Sequence, residues 1–354
     1  MHHFKLVLGA LLVACAVVAT AAAAPPNDPH YGPYQWGPKQ IRAEQAWATS
    51  TGAGQVIAIV DSGVELTHPD LARKIVGGAT FTGCATTGPC GNGDWLSGGK
   101  GGQPPSPHGT HVAGIAAAAT GNGVGIAGVA PNANLLAVKV LTDEGGTFEE
   151  IAAGIRWSVD NGADVINMSL GALPGVQALA ITGVIAETRA AVEYATLRGV
   201  VVIAAAGNDF ASICGEPAFD PNILCVVATD RGERRAAYSN FAVSQAPDNI
   251  VAAPGGAAVL TCEEDIVSTV PASAGGPCTT DVGTTGYDFY AGTSMATPHV
   301  AGAAALLTAQ GRGRADVIRI LKQTARTPVT GSRGTYTPAF GYGIVDAQAA
   351  VTAP

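Results

Sequence analysis

Short, unbroken apolar runs alternate along the chain with longer stretches in which apolar residues recur every third or fourth position. Residues 56–60, 135–141, 165–170, 200–206 and 223–228 are too short for stable helices and too continuous for strands with one wet face, so each predicts a strand buried on both sides. Between them, 148–161 and 185–197 have helical length and spacing, which supplies crossovers and makes the strands parallel. Further helices are predicted to start near His108 and Ser294, and segments 316–324 and 346–351 close the chain. The pattern predicts an α/β fold: a doubly wound, mainly parallel sheet with helices on both faces, in three αβα layers. In such a sheet the working residues belong beyond the carboxyl ends of the strands.

The chain has 354 residues, 47% of them hydrophobic, enough for one large core. Its 47 glycines gather in loops such as 98–102 and 121–128, and no repeat or charged tract marks a boundary, so residues 25–354 are read as a single domain. With 19 Lys and Arg against 27 Asp and Glu, the net charge of −8 argues against a nucleic-acid partner. Residues 1–24 read as an export signal: Lys5, an apolar run over 6–18, then small residues ending at Ala24 before Pro25. A secreted or periplasmic protein, with no membrane span and acting as a monomer, is the expectation. An alternative reading takes Leu12-Val13-Ala14-Cys15 as a lipoprotein cleavage box that would leave a lipidated Cys15. The apolar run continuing through Val18 argues against it.

Setting Cys15 aside leaves six of the seven cysteines, an even number in an oxidising compartment. They fall into three couples close in sequence: Cys84 with Cys90, Cys214 with Cys225, and Cys262 with Cys278. Each disulfide would close a short loop and contribute about 2 to 3 kcal/mol. Buried free thiols are the alternative; a zinc site has no C-x-x-C spacing to support it.

The segment G-T-S-M-A-T-P-H-V-A-G, residues 292–302, holds Ser294 at a predicted helix start. A serine hydroxyl becomes a useful nucleophile only when a base can take its proton. His299 is five residues on, turned to another face of the same helix, and reads as a packing residue. His68 precedes a proline in a turn, and His30 lies in the N-terminal arm. In H-G-T-H-V-A-G, 108–114, His108 opens a helix and can project into a cleft, while His111 packs inside. A zinc pair there lacks both the H-E-x-x-H context and a third ligand. An imidazole works as a base when an acceptor holds its other nitrogen, and Asp61 at the end of an apolar strand fits that role.

Together, I-V-D-S-G-V (59–64), H-G-T-H-V-A-G (108–114) and G-T-S-M-A-T-P-H-V-A-G (292–302) resemble the three catalytic motifs of the subtilisin-like serine proteases, in that family's order. The likeness spans roughly 30–350, and the arm N-D-P-H-Y-G-P-Y-Q-W-G-P (27–38) looks most like the thermitase branch. The resemblance implies Ser294 as nucleophile, His108 as general base and then acid, and Asp61 as the residue that orients it. A-A-A-G-N (204–208) matches the oxyanion segment, which pairs Asn208 with the Ser294 backbone N–H. Asp143, Glu144 and Gly145 on one side and Ser169, Leu170 and Gly171 on the other match the backbone segments that hold an extended polypeptide substrate. The specificity pocket would be walled by 204–207, including Ala205 and Gly207, and by 169–171, with Gly215 near its floor, and would suit a large apolar side chain.

The loop T-G-N-G-V-G-I (120–126) matches the family's calcium loop. It would offer the Asn122 side chain and the carbonyls of Thr120, Val124 and Ile126, with Asp70 and Asp28 adding carboxylates to a structural Ca2+. The alternative is a flexible loop without metal. Only 36 residues, 25–60, separate the cleavage point from Asp61, so no prosegment of the family's kind is expected. The reading is therefore an exported, calcium-stabilised serine endopeptidase of broad specificity. A dedicated processing protease, a transpeptidase using the same acyl-enzyme, or a non-catalytic binding protein on the same fold are the alternatives. Asp143, Glu144, Asp209 and Glu216 are expected to give the cleft an acidic rim.

Overall fold

The computed structural model describes residues 25–354 except 85–87, 98, 105, 173–175, 177–182, 184, 244–247, 277 and 329. The proposed export signal, Cys15 included, lies outside the described residues. Seven strands, β1 (Val56–Asp61), β2 (Ile75–Thr80), β3 (Asn134–Lys139), β4 (Val165–Met168), β5 (Val201–Ala205), β6 (Leu224–Thr229) and β7 (Ile250–Pro254), form one sheet. Their order is β2-β3-β1-β4-β5-β6-β7, and every pairing is parallel. A separate antiparallel hairpin joins β8 (Ile266–Thr269) to β9 (Tyr287–Tyr290). The helices are α1 (Trp36–Gln40), α2 (Ala43–Ala46), α3 (Pro107–Ala117), α4 (Phe148–Asp160), α5 (Ala186–Leu197), α6 (Thr279–Val282), α7 (Thr293–Thr308), α8 (Arg314–Thr324) and α9 (Ala347–Thr352). Among the described residues, no helix is long and apolar enough to cross a membrane.

The period of two along a strand sends its side chains to two cores. Ile57 and Ile59 of β1 pack with α3, α7, α8 and α9, whereas Ala58 and Val60 pack with α4 and α5 on the other face. This is why the strands are apolar throughout rather than alternating. Helix α7 runs through the first core, with all but its second and last residues buried, and so lacks a polar face of its own. In contrast α4 is amphipathic and begins with a capping box: Thr147 Oγ1 accepts from Glu150 N–H at 3.1 Å, and Glu150 Oε2 accepts from Thr147 N–H at 2.9 Å.

Two strands of the large sheet, and both strands of the β8–β9 hairpin, were not apparent in the pattern. β2 carries Gly77 and Gly78 in the middle of its sequence, and β7 is a five-residue I-V-A-A-P; both sit at the sheet's edges. The predicted strand over 165–170 ends at Met168, because Ser169 and Leu170 leave the sheet to face the cleft. The three cysteine couples are disulfide-bonded, with Cα separations of 5.6 Å (Cys84–Cys90), 6.8 Å (Cys214–Cys225) and 5.7 Å (Cys262–Cys278).

From β1 the chain moves outward to β2 and returns through β3, whereas from β4 it moves the opposite way. The crevice between the carboxyl ends of β1 and β4 is therefore where the winding reverses, the place open α/β sheets offer a ligand. Asp61 ends β1 and Ser169 follows β4.

Candidate active site

Asp61 is fully buried, and one of its oxygens takes three donors. Oδ1 accepts from Ser62 N–H at 2.7 Å, from the Ser62 hydroxyl at 3.0 Å and from His108 Nδ1 at 2.7 Å. A carboxylate can only accept, so Nδ1 carries the proton and Nε2 of the neutral ring is left as the basic nitrogen. Gly109 permits this approach: a Cβ there would lie 2.2 Å from the Gly63 carbonyl oxygen and 3.1 Å from Asp61 Oδ1. The Ser62 hydroxyl also lies 2.6 Å from Ser106 Oγ, just before α3, and accepts from Gly109 N–H at 3.2 Å. Lys139, paired in register with Asp61, donates to the carbonyls of Ser62 and Leu141 and braces the turn from beneath. Burial by itself pushes the His108 imidazole down, but the Asp61 charge and hydrogen bond outweigh it, so its pKa stands above the ordinary histidine value. The side chain remains 39% exposed, open to a proton donor or acceptor in the cleft.

Ser294 is the second residue of α7. Its Oγ donates to the Ser169 carbonyl at 3.2 Å, and Ser169 Oγ donates back to the Ser294 carbonyl at 2.7 Å. Among the described residues no hydrogen bond joins Ser294 to His108. The two front adjoining hollows that share one wall, Leu170, Gly171 and Ala172. The larger hollow, about 660 Å3, is also lined by His108, Ser169, Asp143 and Gly145. The smaller, about 180 Å3, is lined by Ser294, Asn208, Ala205 and Gly207.

Asn208 Oδ1 accepts from both Thr293 N–H and Thr293 Oγ1, each at 2.9 Å. That fixes the amide and leaves Nδ2 with no acceptor among the described residues. A Cβ at Gly292 would sit 3.5 Å from Nδ2 and 3.6 Å from the Ser294 nitrogen, so glycine keeps the space between these two donors clear.

The remaining expected substrate residues divide. Thr142 and Gly145 exchange backbone hydrogen bonds of 2.9 and 3.1 Å around a tight turn; Glu144, at its tip, faces solvent and does not line the hollow. Gly215 lines neither hollow; its N–H donates to the Ala206 carbonyl at 2.8 Å. The acidic rim needs correcting. Asp143, Glu144 and Asp209 are exposed, but Glu216 is buried and its Oε1 accepts from Arg189 at 2.7 Å, which cancels its charge. Arg189, Ser62, Ser106 and Lys139 were not anticipated, although Ser62 lies within I-V-D-S-G-V.

The other histidines are structural. His111 Nε2 faces the Ile266 and Asp288 carbonyls at 2.9 and 3.2 Å, and its ring stacks on Tyr290 at 4.6 Å. Burial, with the nearby His108 and His299, pushes it down to about 3. His299 Nδ1 bonds the Met295 carbonyl at 2.8 Å, and burial pushes it down to about 4.

At the 120–126 loop, Asp28 Oδ2 and Oδ1 accept from Gly121 and Asn122 N–H at 2.8 and 3.1 Å. Asp70 accepts from Asn122 Nδ2 at 2.8 Å, Ile126 N–H at 3.1 Å and Tyr287 OH at 2.9 Å. Both carboxyls are buried, burial pushes both up, and among the described residues neither is hydrogen-bonded by a Lys or Arg. The Thr120, Val124 and Ile126 carbonyls accept no hydrogen bond among the described residues. Two buried acids without a counter-charge and three idle carbonyls form an oxygen-rich donor set, which fits a hard divalent cation.

Residues 52–343 match the profile of the subtilase family. The chain is 41% identical to thermitase from Thermoactinomyces vulgaris, across 92% of this chain and 99% of that protein. It is 40% identical to a thermophilic serine proteinase from a Bacillus species, across 94% of this chain and 70% of the relative. Among solved structures, a protease from Pseudoalteromonas arctica superposes with a TM-score of 0.73 and 34% identity, covering 93% of this chain and 99% of the other.

Proposed function

This chain belongs to the subtilase family of serine peptidases, and from that premise we propose that it is an exported endopeptidase that cleaves polypeptides through an acyl-enzyme on Ser294. The observation that carries the reading is the 2.7 Å bond between buried Asp61 and the half-exposed His108, with its basic nitrogen left for the cleft. In the proposed reaction, Ser294 Oγ leaves the Ser169 carbonyl, passes its proton to His108 Nε2 and attacks the scissile carbonyl carbon. Asp61 holds the ring and stabilises the imidazolium; the oxyanion receives bonds from Asn208 Nδ2 and the Ser294 N–H. His108 then returns the proton to the leaving amine, and water reverses the sequence to free the acid.

The substrate strand would pair with 143–146 and 169–171, giving affinity from backbone and little selectivity. The smaller hollow, where Gly171, Ala205 and Gly207 add little bulk, would take the P1 side chain, for which a large apolar group is the proposed preference. In this reading residues 1–24 direct export and 25–354 are one catalytic domain. Labelling with a serine-directed phosphonate tests the mechanism: the adduct should map to Ser294, and an adduct elsewhere would refute it. N-terminal sequencing of the exported protein would locate the cleavage after Ala24.

Because His108 must be neutral to accept a proton and its pKa stands above the ordinary value, kcat/KM should rise with pH through a midpoint above about 6.5. The stability linkage runs the other way. The Asp61–His108 ion pair stabilises the fold fully below the unfolded histidine pKa and fades as pH rises through the raised folded one. A midpoint at or below the ordinary value would remove His108 as the base.

We also propose Ca2+ at the 120–126 loop, held by Asp28, Asp70, Asn122 and the carbonyls of Thr120, Val124 and Ile126. When bound, the ion supplies the missing counter-charge. A cation at a thousand times its Kd stabilises the native state by about 4 kcal/mol. Chelation should therefore lower Tm by several degrees, and Asn122→Ala should blunt that response. A Tm unchanged by chelator in the wild-type protein would exclude the ion.

A further inference from the structure

The larger hollow is walled mainly by small and apolar residues, among them Leu141, Ile151, Leu170 and Pro217, yet besides the exposed Asp143 a buried acidic residue, Glu216, is part of that wall. The Glu216 side chain is 2% exposed, and Oε1 takes its charged hydrogen bond from Arg189 of α5 at 2.7 Å. Arg189 reaches it from behind. Its side chain is 39% exposed, lines a separate surface depression beside Glu193 and Asp220, and does not line the hollow. Its Nε is buried without a partner among the described residues, so this is a single-point contact rather than a two-bonded fork. Glu216 thus belongs to the wall of the hollow, its carboxylate covered, while its cation stands outside that wall. The same residue also backs the substrate wall, because the Glu216 carbonyl accepts from Ala172 N–H at 2.7 Å.

We propose that Arg189 masks Glu216, and that this pair determines which side chain upstream of P1 the larger hollow accepts. With Arg189 in place the part of the wall formed by Glu216 is electrically neutral, leaving the exposed Asp143 as the carboxylate of that lining, and the Glu216 side receives apolar side chains. Without it, a buried carboxylate with no partner is costly, and the cation that can reach it from the cleft is a Lys or Arg side chain of the substrate. The inference rests on the peptidase reading above and adds the residue pair that sets its selectivity.

The test uses peptides with a constant apolar P1 that differ only by Lys or Leu at P2, P3 or P4. The ratio of kcat/KM for Lys over Leu is compared between the wild-type protein and Arg189→Met. At one of the three positions the ratio should rise about tenfold or more, the usual size of a hydrogen bond to a charged group. Arg189→Lys, which keeps the charge but loses the planar head, guards against misfolding of the first variant and should raise the ratio by about threefold. Adding Glu216→Gln to either should return the ratio to the wild-type value, which a general loosening of the wall would not do. A ratio unchanged at all three positions in phosphonate-titratable variants, or a gain that survives Glu216→Gln, would overturn the proposal. Absence of wild-type turnover of the Leu peptides would overturn the peptidase reading and this inference with it.

Discussion

Replacement of Ser294 by alanine is expected to lower kcat by about a million-fold, the size seen when the nucleophile of subtilisin itself is removed. The reason is specific to the geometry. The Ser294 hydroxyl makes one hydrogen bond among the described residues, to the Ser169 carbonyl at 3.2 Å, so its loss leaves the fold nearly intact. His108→Ala should cost a similar factor in rate but more in stability. It strips one of three donors from the buried Asp61 carboxylate, whose other oxygen already lacks a partner among the described residues. The double variant should lose little more activity than either single one, because each removes the same proton transfer. Circular dichroism and Tm separate the two effects: near-native Tm with rate lost in Ser294→Ala, and a measurable fall in Tm for His108→Ala. Ordinary turnover by purified Ser294→Ala protein would refute the acyl-enzyme.

The sheet was legible because its central strands are buried on both faces and therefore apolar without interruption, a signal that survives in a single sequence. Edge strands carry a weaker one. β2 holds two glycines and β7 ends on proline, breaker residues that β5 and β6 lack. The site was legible where chemistry and backbone geometry fall within one short motif. Asp61 with Ser62, His108 with Gly109, and Gly292 with Ser294 are such cases. It was not legible where a contact joins distant segments through long side chains. Tyr287 reaches Asp70 across 217 positions, and Arg189 reaches Glu216 from a helix whose own pattern only says that it is amphipathic. An acidic residue beside a pocket glycine reads as a rim charge until the arginine behind it is seen. The 120–126 loop lies between these cases: glycine spacing marks the turn, but that Asp28 and Asp70 have no counter-charge among the described residues is a property of the folded chain.

Asn208→Ala should lower kcat by about a hundredfold to a thousandfold with KM little changed, equivalent to about 2.7 to 4 kcal/mol of barrier, the range known for the corresponding donor of subtilisin. In the proposed role the amide would be held ready before substrate arrives. Thr293 N–H and Oγ1 both bind Oδ1 at 2.9 Å, which sets the direction of Nδ2 toward the space that Gly292 leaves open beside the Ser294 nitrogen. A ground-state carbonyl carries little charge and gains little from that donor, whereas the tetrahedral oxyanion gains a full charged hydrogen bond, so the loss falls on kcat. Asn208→Asp keeps the shape but replaces the donor by an anion and should be no better than alanine. Thr293→Val supplies the second arm of the argument. It retains Asn208 and its Thr293 N–H anchor but removes the hydroxyl, which also accepts from Gly207 N–H at 3.2 Å, so a smaller loss, again mainly in kcat, is expected. If Asn208→Ala raises KM and leaves kcat unchanged, the side chain binds substrate uniformly and the oxyanion assignment fails.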